Sequence, residues 1–218
     1  MNLWKNYKKI LHETISLHNG VDSVWAEWEG RKDTMLTAKT YTNKYLIKAR
    51  EVEIWNENSC IYNNILYPKT GGDLCVQCGW GSNLPCFGMD LMGFNENRVI
   101  IVFDFQHPKE NYLFSVDGLP KQEGNIRFFE PGNHFSENIY VVKCNMKEVN
   151  DHLDMFTTYL TKFKDMLELK KPTGKDTSLY KDFDSYMTKL DPVGGYLTGK
   201  FGKENAESLV NDFLFTYG

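Results

Sequence analysis

Hydrophobic residues recur with two different periods along this chain, and the order in which the periods alternate restricts the folds open to it. Leu3, Trp4, Tyr7, Ile10, Leu11, Ile15 and Leu17 follow helical spacing, and Gly20, after His18-Asn19, suits a left-handed helix cap. From about Met35 the period shortens to two. Thr37–Ala49, Arg50–Trp55, Cys60–Tyr67, Leu74–Cys78, Cys86–Phe94, Val99–Phe105 and Ile139–Lys143 predict strands. The connections Pro68–Gly72, Gly79–Pro85 and Asn95–Asn97 are short and turn-rich, which favours antiparallel neighbours. After Asn145 helical spacing returns. Leu153, Phe156, Leu160, Phe163 and Leu167 form one stripe that stops at Lys170-Lys171-Pro172. Leu179–Lys189 predicts a shorter helix carrying Phe183, Tyr186 and Met187. Asp191–Gly195 interrupts it, with Gly194-Gly195 read as turn glycines, and Glu204–Phe215 predicts a terminal helix. A helix, a run of strands and a run of helices predict an α+β fold: a three-layer α/β/α sandwich with a central antiparallel β-sheet, one domain over residues 1–218.

Composition narrows the function classes. Hydrophobic residues at 41% and aromatics at 14% supply enough apolar surface to offset chain entropy, so the chain is not disordered. Lys plus Arg is 25 against 29 Asp plus Glu, a net charge of −4, which leaves no basic excess for a nucleic-acid backbone. No apolar run approaches the roughly 20 residues needed to span a bilayer. The opening Met1–Lys9 is polar and lacks the apolar stretch of an export signal. Cys60, Cys75, Cys78, Cys86 and Cys144 are therefore expected as free thiols in a reducing compartment. These features predict a cytoplasmic protein with no membrane or nucleic-acid partner.

Cys75-Val-Gln-Cys78 has the CxxC spacing but lies in a predicted strand, where residues three apart point to opposite faces, so no metal site is expected there. The five histidines, His12, His18, His107, His134 and His152, are scattered and form no ligand pair. Nucleophile-elbow, phosphate-loop and dinucleotide fingerprints are lacking. The informative stretch is Leu84-Pro85-Cys86-Phe87-Gly88-Met89-Asp90-Leu91-Met92-Gly93-Phe94. Alternation sends Phe87, Met89 and Leu91 to one face, and Cys86, Gly88, Asp90 and Met92 to the other. Under a helical layer, Asp90 without a cation would hold a proton, and Gly88 would leave room for a flat ligand. The other open reading pairs Asp90 with a nearby Lys or Arg, or exposes it at a strand end. Asp191, before Pro192, suits an ordinary turn.

Together these segments resemble the ferredoxin-dependent bilin reductases, which reduce biliverdin IXα to phytobilins through radical intermediates. Leu84–Asp90 is similar to the family's proline–Phe/Leu–Gly–x–Asp strand, whose aspartate is the central proton donor. Asp191-Pro192, Leu197, Phe201-Gly202, Ala206-Glu207 and Asp212–Phe215 are similar to its C-terminal block. Glu130–Tyr140 is more loosely similar to a middle segment, with Phe135 where a tryptophan usually stands. The resemblance spans roughly residues 35–215. It implies Asp90 as donor to the pigment, Asp191 as a second donor at the A-ring, and Gly88 and Met92 against the substrate. It also implies a third polar position upstream, where an ungapped count reaches Asp73. Arg127, Lys189 and Lys200 are candidates for the two propionates, and Lys162, Lys164, Lys170, Lys171 and Lys175 for a ferredoxin-docking patch. The resemblance implies no bound redox cofactor, with electrons arriving from external reduced ferredoxin. The Asp-Pro pair is similar to members that form phycoerythrobilin, and the short chain to phage or bacterial members; a monomer is expected. Phycocyanobilin- or dihydrobiliverdin-forming activity, or a non-catalytic bilin carrier, are the alternatives.

Overall fold

The computed structural model describes residues 3–17, 21–71, 84–109, 111–124, 130–176, 178–190 and 193–216. A helix α1 (Lys5–Ile15) precedes seven strands: β1 (Ser23–Gly30), β2 (Thr34–Tyr41), β3 (Leu46–Trp55), β4 (Cys60–Pro68), β5 (Cys86–Asn95), β6 (Arg98–Gln106) and β7 (Tyr140–Cys144). The strands form one sheet in sequence order, every neighbouring pair antiparallel. Then come α2 (Leu153–Lys170), α3 (Lys181–Leu190), α4 (Gly194–Phe201) and α5 (Lys203–Ser208), which runs on into a π-helical turn, Leu209–Leu214. Among the described residues no helix is long and apolar enough to cross a membrane.

Strand alternation decides which helices cover which face. Phe87, Met89 and Leu91 of β5 join Ile101, Phe103 and Phe105 of β6 under α1 and α2, where Tyr7, Leu11, Phe156, Phe163 and Leu167 pack. The opposite face is covered in two halves. Leu197, Phe201, Leu209 and Phe213 lie over Ala38, Val52 and Ile54 of β2 and β3. Phe183 and Met187 of α3 lie over Ile65, Cys86 and Val102 of β4 to β6. The three-layer sandwich predicted from the periods is therefore the fold, and its second helical layer divides above β4 and β5.

One buried charge holds each helical layer to the sheet. On the α1 side, Glu51 is 1% exposed and accepts hydrogen bonds from His12 Nε2 (2.7 Å), Tyr62 (2.7 Å) and Tyr41 (3.1 Å), with Lys8 Nζ at 3.1 Å. Burial alone would raise its pKa, but the His12 hydrogen bond, the Lys8 charge and the Tyr62 hydroxyl hold it at about 2. On the other side, buried Arg50 donates to the Phe213 carbonyl in the π turn, lies 4.2 Å from the Tyr67 ring centroid and reaches within 3.9 Å of Asp184 on α3. The β3 strand thus grips both roofs, through the consecutive residues Arg50 and Glu51, which point to opposite faces.

Several local expectations change. The left-handed residue that ends α1 is Ser16, at φ 58°, with Leu17 N–H donating to the His12 carbonyl at 2.9 Å; residues 18–20 lie outside those described. Thr37–Ala49 is not one strand: β2 stops at Tyr41, and Asn43 Oδ1 accepts the backbone N–H groups of Tyr45 and Leu46 to turn the chain. Gly194 and Gly195 open α4 rather than form a turn. The terminal helix starts at Lys203 and loosens into the π turn. The edge strand β1 precedes the predicted strands; its register shifts between Val24 and Ala26, and only the short stretch Ala26–Gly30 alternates. The expected strand Leu74–Cys78 lies outside the described residues.

Candidate active site

Where the second helical layer divides, a cleft opens onto the sheet. Its floor includes Ile61 and Asn63 of β4, Gly88, Asp90 and Met92 of β5, and Gln106 of β6. Met187 of α3, Tyr196 of α4 and Leu209 and Leu214 of the π turn form its roof. The empty space between these walls, counted out to solvent, is about 1030 Å³. Alternation along β5 puts Gly88, Asp90 and Met92 on this face, beneath the apolar roof.

Asp90 supplies the one carboxylate among the described residues that line the cleft. Its Oδ1 accepts a hydrogen bond from Asn63 Nδ2, and the register explains why: Asn63 stands directly opposite Asp90 on the neighbouring strand. Among the described residues no lysine, arginine or histidine forms an ion pair with it. Part of the side chain reaches the cleft, yet the carboxyl sits deep enough that burial raises its pKa, against the lowering effect of the Asn63 hydrogen bond. Among the described residues, the arrangement is that of the first sequence reading, an acid under a helical layer with no ion pair. Such a group holds its proton at higher pH than a solvated aspartate and can deliver it to a bound base.

Gly88 and Met92 line the cleft as expected. Asp191, Asp73 and Arg127 lie outside the described residues, as do Cys75 and Cys78. Met187, before Asp191, and Val193, after it, both line the cleft. Lys189 and Lys200 do not: Lys189 is exposed on α3, and Lys200 Nζ lies 5.8 Å from the ring centroid of Tyr196, at the rim. The basic patch on α2 also shrinks. Lys170 is 3% exposed, Lys164 pairs with Glu168 at 2.9 Å, and Lys162 packs toward Gly118, leaving Lys171 and Lys175 exposed. Among the described residues no group of three His, Cys, Asp or Glu side chains could hold a metal ion.

Two polar residues of the floor, Asn63 and Gln106, carry no motif and escape sequence reading; only the adjacent Asn63-Asn64, a polar break in an alternating strand, hints at the first. A second buried acid, Asp104, lies on the same sheet face, opposite Gly88. Ser136 donates to it from its backbone N–H (2.9 Å) and its hydroxyl, although burial still drives its pKa well up. Asp104 does not line the cleft; it pins the Glu130–Tyr140 segment to β6, with Phe135 buried beside it.

The chain has relatives among known proteins. The sequence profile of the ferredoxin-dependent bilin reductases matches residues 3–216. The chain is 25% identical over 223 residues to a 15,16-dihydrobiliverdin:ferredoxin oxidoreductase of Gloeobacter violaceus, covering 93% of this chain and 87% of that one. It is 25% identical over 252 residues to a phycoerythrobilin:ferredoxin oxidoreductase of Prochlorococcus marinus, covering 98% and 94%. Among solved structures, phytochromobilin synthase from tomato, in complex with biliverdin, superposes with a TM-score of 0.66 at 14% identity, covering 97% of this chain and 82% of that one. With the profile matching nearly end to end, the chain belongs to the ferredoxin-dependent bilin reductase family.

Proposed function

We propose that this protein reduces biliverdin IXα to phycoerythrobilin in two successive two-electron steps, with reduced ferredoxin delivering the electrons singly. The observation that carries the reading is Asp90: a carboxyl of raised pKa, with no cation among the described residues paired to it, on the floor of an apolar cleft. In each step the pigment gains two electrons and two protons, so the protein's task is to place protons and to keep water from the radical intermediates. Asp90 donates first, and the conjugated π-system accepts. The resulting carboxylate keeps the Asn63 N–H as its hydrogen-bond donor and faces a pigment that is cationic when protonated, so its negative charge is stabilised from two sides. Asp191 is the second donor, acting at the A-ring; cleft residues Met187 and Val193 flank it in the chain. The scheme needs no bound redox group, because the pigment itself is the electron acceptor.

The names of the relatives divide between products, which keeps a second reading in view: a reductase that stops at 15,16-dihydrobiliverdin. The Asp191-Pro192 pair favours the longer reaction. An anaerobic assay with purified protein, biliverdin IXα and a reduced-ferredoxin regenerating system tests both. Loss of the biliverdin band with a phycoerythrobilin product on chromatography is expected. A dihydrobiliverdin end product supports the shorter reaction, and a shifted absorption band without turnover indicates a carrier.

A further inference from the structure

Gln106 ends β6 on the sheet face that carries Asp90. In the register Asp90 pairs with Val102, Gly88 with Asp104 and Cys86 with Gln106, so the backbone of Gln106 lies four residues along from the Asp90 row. Its side chain does not stay opposite Cys86. A Cβ placed on Gly88 would meet both Nε2 and Oε1 of Gln106 at 2.7 Å, so the amide leans back over the glycine and occupies the space a side chain there would take. That brings it within about two residues, ~7 Å, of the Asp90 row. Both Gln106 and Gly88 line the cleft. Gln106 Oε1 is buried and has no hydrogen-bond partner, an arrangement that folding alone disfavours.

We propose that the Gln106 side-chain amide pairs with a terminal lactam of the linear tetrapyrrole and thereby sets which ring lies over Asp90. The inference rests on the bilin reading above and adds a positioning residue to it. A lactam presents an N–H and a C=O side by side; a primary amide presents the matching acceptor and donor, and the two join through a pair of parallel hydrogen bonds. Only the terminal rings of a bilin carry this edge. The inner rings lack the carbonyl, so the amide distinguishes end from middle, which an apolar wall does not. Once an end ring is held over Gly88, its neighbour falls at the Asp90 row. A carboxyl there meets an inner ring or the methine bridge beside it, the conjugated region from which protonation spreads charge.

The test is titration of biliverdin IXα into the full-length wild type, Gln106→Met and Gln106→Glu, with the lactam carbonyl stretch of the bound pigment read by resonance Raman. Both substitutions keep the volume over Gly88. Loss of the amide in Gln106→Met is expected to weaken binding about tenfold and to move the carbonyl band to higher frequency. Gln106→Glu keeps an acceptor for the lactam N–H and, read at a pH high enough to ionise the new carboxyl, has no donor for the lactam carbonyl, so there it shows the same band shift with a smaller loss of affinity. If Gln106→Met does not fold, the Gln106→Glu band decides alone. A carbonyl band at the wild-type position in the folded variants overturns the assignment, since filling space would leave it there. Failure of the wild type to bind biliverdin overturns the bilin reading itself, and this inference with it.

Discussion

Replacing Glu51 with glutamine probes whether the sheet that floors the cleft is held by charge or by shape. The carboxyl falls from an ordinary 4.5 to about 2 in the folded protein, because His12, Lys8 and Tyr62 together outweigh its burial. At 1.36 kcal/mol per tenfold change in acidity, that fall corresponds to about 3 kcal/mol of stability at neutral pH. The group is 1% exposed, so solvent screening removes little of it. The sign follows from the direction of the change. A depressed carboxyl stabilises the fold above its unfolded pKa and loses that contribution as pH falls toward 2. Urea unfolding of wild type and Glu51→Gln at pH 7, 5 and 3 is the assay. The difference in unfolding free energy should be about 3 kcal/mol at pH 7 and below about 1.5 kcal/mol at pH 3, with unchanged m-values. Because Glu51 lies across the sheet from Asp90, turnover per folded molecule should stay at the wild-type level. A difference below about 1 kcal/mol at pH 7, or one that does not shrink with acid, would refute the electrostatic account.

Asp90→Asn should still bind biliverdin but turn it over about 10²- to 10⁴-fold more slowly, the usual worth of a positioned proton donor; wild-type kcat would remove Asp90 from the mechanism. A raised carboxyl costs stability as pH rises above its unfolded value, so the same variant should be at least as stable as wild type at pH 7, measured by thermal unfolding. Asp191→Asn should accumulate a dihydro intermediate on chromatography, whereas an unchanged product mixture would exclude it as second donor. Gly88→Val puts side-chain atoms where the Gln106 amide lies and fills the slot, so biliverdin affinity should fall at least tenfold in a titration; undiminished binding would place the pigment elsewhere.

The layers were legible because strand and helix periods differ and each reports a buried face. Asp90 was legible for the same reason: a carboxylate on the alternating strand Cys86–Phe94 must face one helical layer, and Gly88 beside it marks open space. The two-residue tip between β5 and β6 followed from Asn95, whose Oδ1 accepts the Asn97 N–H at 3.0 Å. Asn63 and Gln106 were not legible. Their importance comes from register, which sets Asn63 against Asp90 and sends Gln106 over Gly88, and register is a property of paired strands rather than of either sequence. Lys170 misled for a related reason: a lysine among lysines at a helix end reads as solvated, yet its side chain is buried while its neighbours Leu169 and Lys171 are exposed. β1 was harder to read because its register shift between Val24 and Ala26 leaves only the short run Ala26–Gly30 with a two-residue period.

The strictly sequential sheet has a consequence for synthesis. Each strand pairs with the one made just before it, so a nascent chain can complete the floor, through Cys144, before any of the roof segments α3, α4 and the π turn has been made. Until then Asp90 faces water and behaves as an ordinary solvated acid. Its altered acidity is acquired last, when the final segment folds over it and Arg50 takes hold of the Phe213 carbonyl. Chemical competence in this chain is thus a property of its finished C-terminus, conferred on a residue translated long before.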